Sequence, residues 1–196
     1  MSASASDPVG EGLARAARVM RGDAAAARNV DATPAAVRLS FLGVALALAM
    51  DAGIMSLGVA QAANVGRGAG FVALVLLGFA NYAAAVATML VLTRAPAQRR
   101  RFPAWLLVQN WGEAVLAAVL LVPKWIYVSL PPVAVEGAEV RGWPLVTVVI
   151  VLGVAVVSFV AHYRMALHML AVSGVRAFWL VTAAFVAAAL ATAVLA

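Results

Sequence analysis

Five long apolar segments dominate the sequence, and they restrict its fold more than any other feature. They cover residues 40–62, 69–93, 104–122, 144–166 and 176–196. Each is about 20 residues long, the length that a helix needs to cross a hydrocarbon core of about 30 Å. A helix satisfies its own backbone hydrogen bonds in lipid, whereas an open strand does not. The segments therefore predict an all-α, polytopic membrane bundle of five transmembrane helices.

Composition agrees with a membrane protein and excludes several kinds of site. Hydrophobic residues make up 65% of the chain, against about 45–50% in a typical soluble domain. The absence of cysteine excludes disulfides, thiolate metal sites and cysteine nucleophiles. The glycine-rich stretch NVGRGAGF lacks the lysine and hydroxyl residue of a phosphate-binding loop. We predict a protein that is not an enzyme and that binds neither a cofactor nor nucleic acid.

Residues 1–37 precede the first apolar segment and are predicted to form a cytoplasmic arm beside the transmembrane domain of residues 38–196. Arg15, Arg18 and Arg21 recur every three residues, and Leu13 and Met20 lie mostly on the other side. This pattern is typical of an amphipathic helix in the membrane interface, with its arginines on lipid phosphates. Docking on a partner subunit and a disordered arm are the alternatives.

The start of the following helix is marked by the sequence DATPAAV. Thr33 suits the N-cap position, and Pro34 suits the first helical position, where its missing N–H has no cost. We therefore predict that a helix begins at Pro34 and continues into the first apolar segment.

Lys and Arg residues indicate the orientation of the bundle. Eleven of the fourteen lie before the first segment, between the second and third segments, or where the fourth segment ends and the fifth begins. Because cytoplasmic loops are enriched in these residues, we predict a cytoplasmic N-terminus and a periplasmic C-terminus in a bacterial inner membrane. Arg99, Arg100 and Arg101 are expected to contact anionic head groups, as are the arginines of the arm.

Polar residues interrupt the first three apolar segments near their middles: Asp51, Asn81, Gln109, Asn110 and Glu113. Residues three and four apart share a helix face, so the three polar residues of the third segment project to one side. A bundle that joins these helices would place all five in one polar layer. Intramembrane acids often serve proton or ion pathways; a structural hydrogen-bond cluster and a contact with a partner or cofactor are the alternatives. No Lys or Arg is expected at the depth of either acid.

Small residues spaced by three or four form a face of the first segment: Ala45, Ala49, Ala52, Ser56 and Ala60. Such a face lets another helix approach closely, within this chain or in a neighbouring subunit. Simple abundance of alanine is the competing interpretation.

His162 and His168 are the two histidines, and they do not share a helix face because they are six residues apart. His162 is expected at the inner membrane border beside Tyr163 and Arg164. A pigment or quinone contact through His162 or Trp111 is the alternative interpretation.

The chain resembles small bacterial five-helix inner-membrane proteins of the Yip type. The resemblance rests on the basic arm leading through DATP, on QNW in the third segment, and on HYRMALHMLAVSGVRAFWLV between the last two segments. It implies a helical membrane protein with an accessory or unknown role. We therefore predict a non-enzymatic accessory or scaffold subunit that contacts the lipid bilayer and other membrane subunits. A small proton- or ion-coupled transporter using Asp51 and Glu113 is the alternative, followed by a pigment- or quinone-associated subunit.

Overall fold

A computed structural model of the chain describes residues 7–63, 67–135, 138–141 and 144–195. The elements in this part of the chain are α1 (Pro8–Met20), α2 (Pro34–Ala63), α3 (Arg67–Leu92), α4 (Pro96–Ser129), β1 (Pro132–Val135), β2 (Ala138–Arg141), α5 (Pro144–Met169) and α6 (Gly174–Leu195). The strands β1 and β2 form a short antiparallel hairpin. Five helices, α2 to α6, are long and apolar enough to cross a membrane. The prediction of a helical bundle is confirmed, and five of its helices have the length and composition that a membrane span requires.

The helix boundaries follow local signals that the sequence carries. α2 begins at Pro34, as predicted, and the Thr33 hydroxyl accepts a hydrogen bond from the Ala36 N–H at 3.2 Å. α4 is longer than the predicted segment 104–122, because it also includes the arginines before it and continues past Pro123 to Ser129. A proline is tolerated in a membrane helix because neighbouring groups can satisfy the freed carbonyl. The described residues between the third and fourth predicted segments are therefore mostly helix and strand.

The five long helices form a closed ring. α2 packs on α4, α4 on α5, α5 on α6, α6 on α3, and α3 on α2. The contact between α2 and α4 is the most extensive of these. Each neighbouring pair is close enough for side chains to meet across it, so the ring encloses a central space that all five helices border.

Close backbone approach explains why α2 and α4 pack so tightly. Gly43 of α2 lies directly against the carbonyl oxygen of Asn110, and a side chain there would collide with that oxygen. The Trp111 ring lies beside Gly43 on one side and against Gly12 of α1 on another. Glycine at these positions lets the helix backbones approach a large, almost fully buried indole.

Helix α1 packs on the outside of the ring, across α4 and α5. Its N-terminus is capped by Asp7, whose carboxylate accepts from the Val9 N–H at 3.1 Å. Ala16 and Val19 are completely buried, and with Ala26 they belong to the same apolar core as α4, α5 and α6. This part of residues 1–37 is thus integrated into the packing of the bundle.

The small-residue face predicted for α2 is buried in the ring at some positions and exposed at others. Ala52 and Ser56 are buried, whereas Ala45 and Ala49 are exposed on the outside. The side chain of Ala60 lies outside the described part of the chain. A strict spacing of three or four drifts around a helix of 3.6 residues per turn, so these positions do not all face one neighbour.

Candidate functional site

A cavity of about 290 Å³ lies at the centre of the ring. Its walls come from all five long helices and are mostly apolar. The polar and aromatic side chains on them are Asp51 of α2, Asn81 and Tyr82 of α3, Trp105, Gln109 and Glu113 of α4, His162 of α5 and Phe185 of α6. Pockets that bind small molecules have this character, an apolar lining with a few converging polar groups.

Glu113 and His162 make a polar contact across the cavity wall between α4 and α5. Glu113 Oε1 lies 3.1 Å from His162 Nε2, and the same oxygen accepts a hydrogen bond from Gln109 Nε2 at 2.5 Å. The other ring nitrogen, His162 Nδ1, lies 2.7 Å from the carbonyl oxygen of Ser158. The exposed fractions of the Glu113 and His162 side chains are 26% and 19%, so both groups are mostly buried but still reach open space.

These contacts determine how many protons the pair holds. A carbonyl oxygen only accepts, so Nδ1 of His162 must carry a hydrogen. The contact between Nε2 and Glu113 Oε1 then needs one further proton, either on the imidazole or on the carboxyl group. The hydrogen bond from Gln109 to the same oxygen matches the imidazolium–carboxylate form. With the proton on Glu113 Oε1, the carboxyl group would donate to His162 Nε2, and Gln109 Nε2 could still donate to the same oxygen.

Gln109 and Trp105 each keep one buried polar atom without a partner. Gln109 Oε1 and Trp105 Nε1 are both buried and make no hydrogen bond within the described part of the chain. An unpaired buried polar group costs about 1–3 kcal/mol. Both residues also line the central cavity.

Asp51 pairs with Lys124, which lies eleven residues after Glu113 on α4. Lys124 Nζ of α4 lies 2.6 Å from Asp51 Oδ1 of α2. The Asp51 side chain is 42% exposed and that of Lys124 is 20% exposed. The expectation that no Lys or Arg lies at the depth of either acid is therefore wrong. The long lysine side chain carries its ammonium group away from its own position on the helix, which the position of Lys124 in the sequence does not reveal.

Asn110 serves a different contact from its neighbour Gln109. It is fully buried, accepts a hydrogen bond from the Tyr82 hydroxyl of α3 and donates to the Ser40 hydroxyl of α2 at 2.9 Å. Asn110 is absent from the cavity wall, and it ties α2, α3 and α4 together. On the opposite side of the ring, Asn81 accepts from Thr192 of α6 at 2.9 Å.

The structure thus distributes the five predicted polar residues between two places. Asp51, Asn81, Gln109 and Glu113 line the cavity, whereas Asn110 lies in the contact between helices. The expectation that His162 lies at a different depth from the polar layer is wrong, because it touches Glu113 and lines the cavity. Tyr82, Lys124 and Thr192 were missed. Only Tyr82 carried a sequence signal, since it directly follows Asn81.

Neither residue named for a pigment or quinone has a free ligating group on the cavity. Both nitrogens of His162 already contact protein oxygens. Trp111 is packed between α1 and α2 and does not line the cavity. Among the described residues, no cluster of three or more His, Cys, Asp or Glu could hold a metal ion.

Most of the arginines predicted to contact lipid are exposed. Arg18, Arg21, Arg99, Arg100 and Arg101 are open to the surroundings, and Arg15 is half-buried. Arg18 also pairs with Asp23, with 2.7 Å between Nη2 and Oδ2. The hydrogen bond from Arg18, with those from the Ala26 and Ala25 N–H groups, holds the pKa of Asp23 below its usual value.

Comparisons with known proteins give no match: no family model fits the chain, and no curated protein or solved structure is significantly similar to it.

Proposed function

We propose that the protein exchanges protons for a small organic cation across the membrane, with the Glu113–His162 pair as the proton site. The observation that supports this most strongly is the contact of 3.1 Å between these two side chains on the wall of the central cavity. Acids and histidines inside membrane segments are costly and are often parts of proton relays. A pair that only held two helices together would not need both side chains to border the central cavity.

The chemistry of the pair supports coupling of proton and cation. Removing its shared proton would leave the Glu113 carboxylate beside a neutral imidazole nitrogen that can only accept. The carboxylate would then lack a positive partner in a medium of low dielectric constant, which is unfavourable. A cation in the cavity can supply that charge. Proton and cation therefore compete for one carboxylate, and this competition is the basis of exchange.

The remaining cavity wall favours a cation with apolar substituents. Aliphatic side chains dominate the lining and cannot replace the water of a strongly hydrated ion. Tyr82, Trp105 and Phe185 add aromatic rings, whose faces attract cations. Asp51 is already neutralised by Lys124, so Glu113 is the carboxylate that a cation would contact.

Uptake into vesicles tests this proposal. The purified protein is reconstituted in liposomes, and uptake of labelled benzyltrimethylammonium is measured with and without an imposed pH gradient. This probe carries a permanent charge and cannot cross the bilayer as a neutral base. We expect uptake driven by the gradient in the unmodified protein and in Glu11→Gln, an exposed acid of α1, and none in Glu113→Gln. Uptake that Glu113→Gln retains, or that ignores the gradient, contradicts the proposal.

The accessory-subunit hypothesis remains a second candidate, favoured by the outer face of α2. Ala45 and Ala49 are exposed there, one helical turn apart, and small residues allow another helix to approach. Because the chain has no cysteine, Ala45→Cys can be crosslinked selectively in native membranes, with Val149→Cys on exposed α5 as control. A discrete crosslinked species with Ala45→Cys alone supports a partner, and equal patterns from both variants argue against one.

We also propose that α1 lies in the inner interface and that the N-terminus is cytoplasmic in a bacterial inner membrane. Support comes from the exposed Arg18 and Arg21 at the C-terminal end of α1, and from Arg28, which follows α1 and lines a cavity together with Arg100 and Arg101 of α4. Impermeant thiol labelling of intact cells tests this orientation. We expect Ser129→Cys to be labelled and Ala97→Cys to be protected, and the reverse pattern would contradict it.

A further inference from the structure

A second cavity, of about 660 Å³, lies outside the ring where α4 begins and α5 ends. Its walls combine the connection between α1 and α2, the first turns of α4 and the last turn of α5 with the residues after it. Four basic side chains line it: Arg28, Arg100, Arg101 and His168. No Asp or Glu is among its lining residues. Two separate parts of the chain therefore direct arginines at one concave surface, and a third adds an imidazole.

These basic groups have no counter-charge in the described part of the chain. Arg28, Arg100 and Arg101 take part in none of the ion pairs or side-chain hydrogen bonds found there. Asp23, the acid before the cavity segment, is already engaged with Arg18. Asp31 follows the lining residue Val30 but does not itself line the cavity. Converging unpaired guanidinium groups repel one another, so their arrangement favours an anion between them.

The backbone at this cavity is also unusual. Two non-glycine residues in the described chain have a positive φ, Asn29 at 53° and Ala171 at 49°, and both line this cavity. The left-handed conformation is unfavourable for alanine, and such conformations cluster at binding sites. The turns that carry them bring the segment around Arg28 and the end of α5 to the two sides of the arginines on α4.

We propose that this cavity binds a phosphate group that carries a net negative charge, either in an anionic lipid head group or as a soluble phosphate. Arginine forms paired hydrogen bonds to phosphate oxygens, and basic pockets beside membrane helices bind anionic lipid head groups. Val30, Leu167 and Met169 add apolar wall next to the basic groups, which suits a head group with the start of its acyl chains. The site differs from the general attraction of exposed arginines to the membrane, because Arg99 lies next to Arg100 but outside the cavity.

Two charge-matched triple variants test this site. Arg28→Gln, Arg100→Gln and Arg101→Gln together remove the cavity arginines. The control combines Arg38→Gln, Arg94→Gln and Arg99→Gln, three exposed arginines outside the cavity. Calorimetric titration in detergent uses three probes: inorganic phosphate, short-chain phosphatidylglycerol and short-chain phosphatidylcholine. We expect saturable binding of an anionic probe to the unmodified protein and the control, and binding weaker by roughly a hundredfold in the cavity variant.

The pattern across probes identifies the source of the phosphate. Binding of phosphatidylglycerol but not inorganic phosphate indicates a lipid head group, and the reverse indicates a soluble phosphate. Equal losses in both triple variants, absence of saturation, or equal binding of phosphatidylcholine would overturn the proposal. If the triple variant does not fold, Arg28→Gln is compared with Arg38→Gln, since Arg28 lies in a connection and not in a helix.

Discussion

Two acids lie in the helices of the ring, and each pairs with a base from another helix. Asp51 contacts Lys124 at 2.6 Å, and Glu113 contacts His162 at 3.1 Å. The bases differ in how they hold a proton. A lysine ammonium group is a compact point charge, whereas a histidine ring has two nitrogens and readily gains or loses a proton. We infer that the first pair is a fixed ion pair, while the second holds a proton that can be exchanged.

The two pairs also differ in their exposure and in their hydrogen-bond partners. The Asp51 side chain is 42% exposed, whereas that of Glu113 is 26% exposed and its oxygen has a second donor, Gln109. The pairs are separated by eleven residues of α4, or about 16 Å along the helix. We infer that Asp51–Lys124 fixes α2 to α4, and that Glu113–His162 carries the titratable chemistry of the cavity.

The largest expected loss of stability comes from removing one member of the Glu113–His162 pair. Glu113→Ala leaves His162 with a ring nitrogen directed at an apolar gap. Breaking a buried charged pair costs about 3–5 kcal/mol of unfolding free energy. Reversible unfolding in mixed micelles, followed by tryptophan fluorescence, measures the loss. Replacement of both partners, as Glu113→Leu with His162→Leu, should restore most of it; a double variant as unstable as the single one would show that the pair is not coupled.

A second variant separates α2 from α4 without touching either pair. Gly43→Ala places a methyl group against the Asn110 carbonyl oxygen and the Trp111 ring. Overpacking of this kind costs about 1–3 kcal/mol, and the same unfolding assay measures it. Gly53→Ala on the same helix is the control, because a side chain at Gly53 meets nothing within 4 Å. Equal effects at the two glycines would contradict the close approach of the two helices.

Breaking the Asp51–Lys124 pair should cost far less stability than breaking the Glu113–His162 pair. Asp51→Asn removes a carboxylate that is 42% exposed, and exposed ion pairs contribute about 0–1 kcal/mol. Lys124 can then extend toward the membrane surface. We expect a small loss of stability in the unfolding assay and vesicle uptake that still depends on the pH gradient. A loss as large as that of Glu113→Ala would remove the distinction between the pairs.

A third acid, Asp23, gives the smallest effect and provides a reference outside the membrane. Its pKa is lowered by hydrogen bonding to Arg18, so its contribution to stability is present above its unfolded pKa and disappears as the pH falls through the folded one. Its carboxylate also accepts from the Ala25 and Ala26 N–H groups, at 2.9 and 3.2 Å. Asp23→Asn should accelerate hydrogen exchange of these amides at neutral pH and leave the cavity unaffected. Unchanged exchange would show that the turn does not depend on the carboxylate.

The membrane fold could be predicted from the sequence, because length and hydrophobicity of a segment decide whether it spans a bilayer. The start of α2 at Pro34 could also be predicted, because the Thr33 cap involves only neighbouring residues. The Asp51–Lys124 and Glu113–His162 contacts could not be predicted. The sequence separates His162 from the polar layer, because the fourth segment is predicted to end at residue 166, whereas α5 continues to Met169. Contacts such as Lys124 with Asp51 depend on which helices are neighbours in the ring, and no local pattern specifies that order.

The most direct test of the central claim is the number of protons released when a cation binds. Benzyltrimethylammonium is titrated into the purified protein in weakly buffered micelles near neutral pH, while a pH dye records proton release and calorimetry records binding. The account predicts release of up to one proton per bound cation, because both compete for Glu113, and no release from Glu113→Gln. Binding without proton release from the unmodified protein would contradict it.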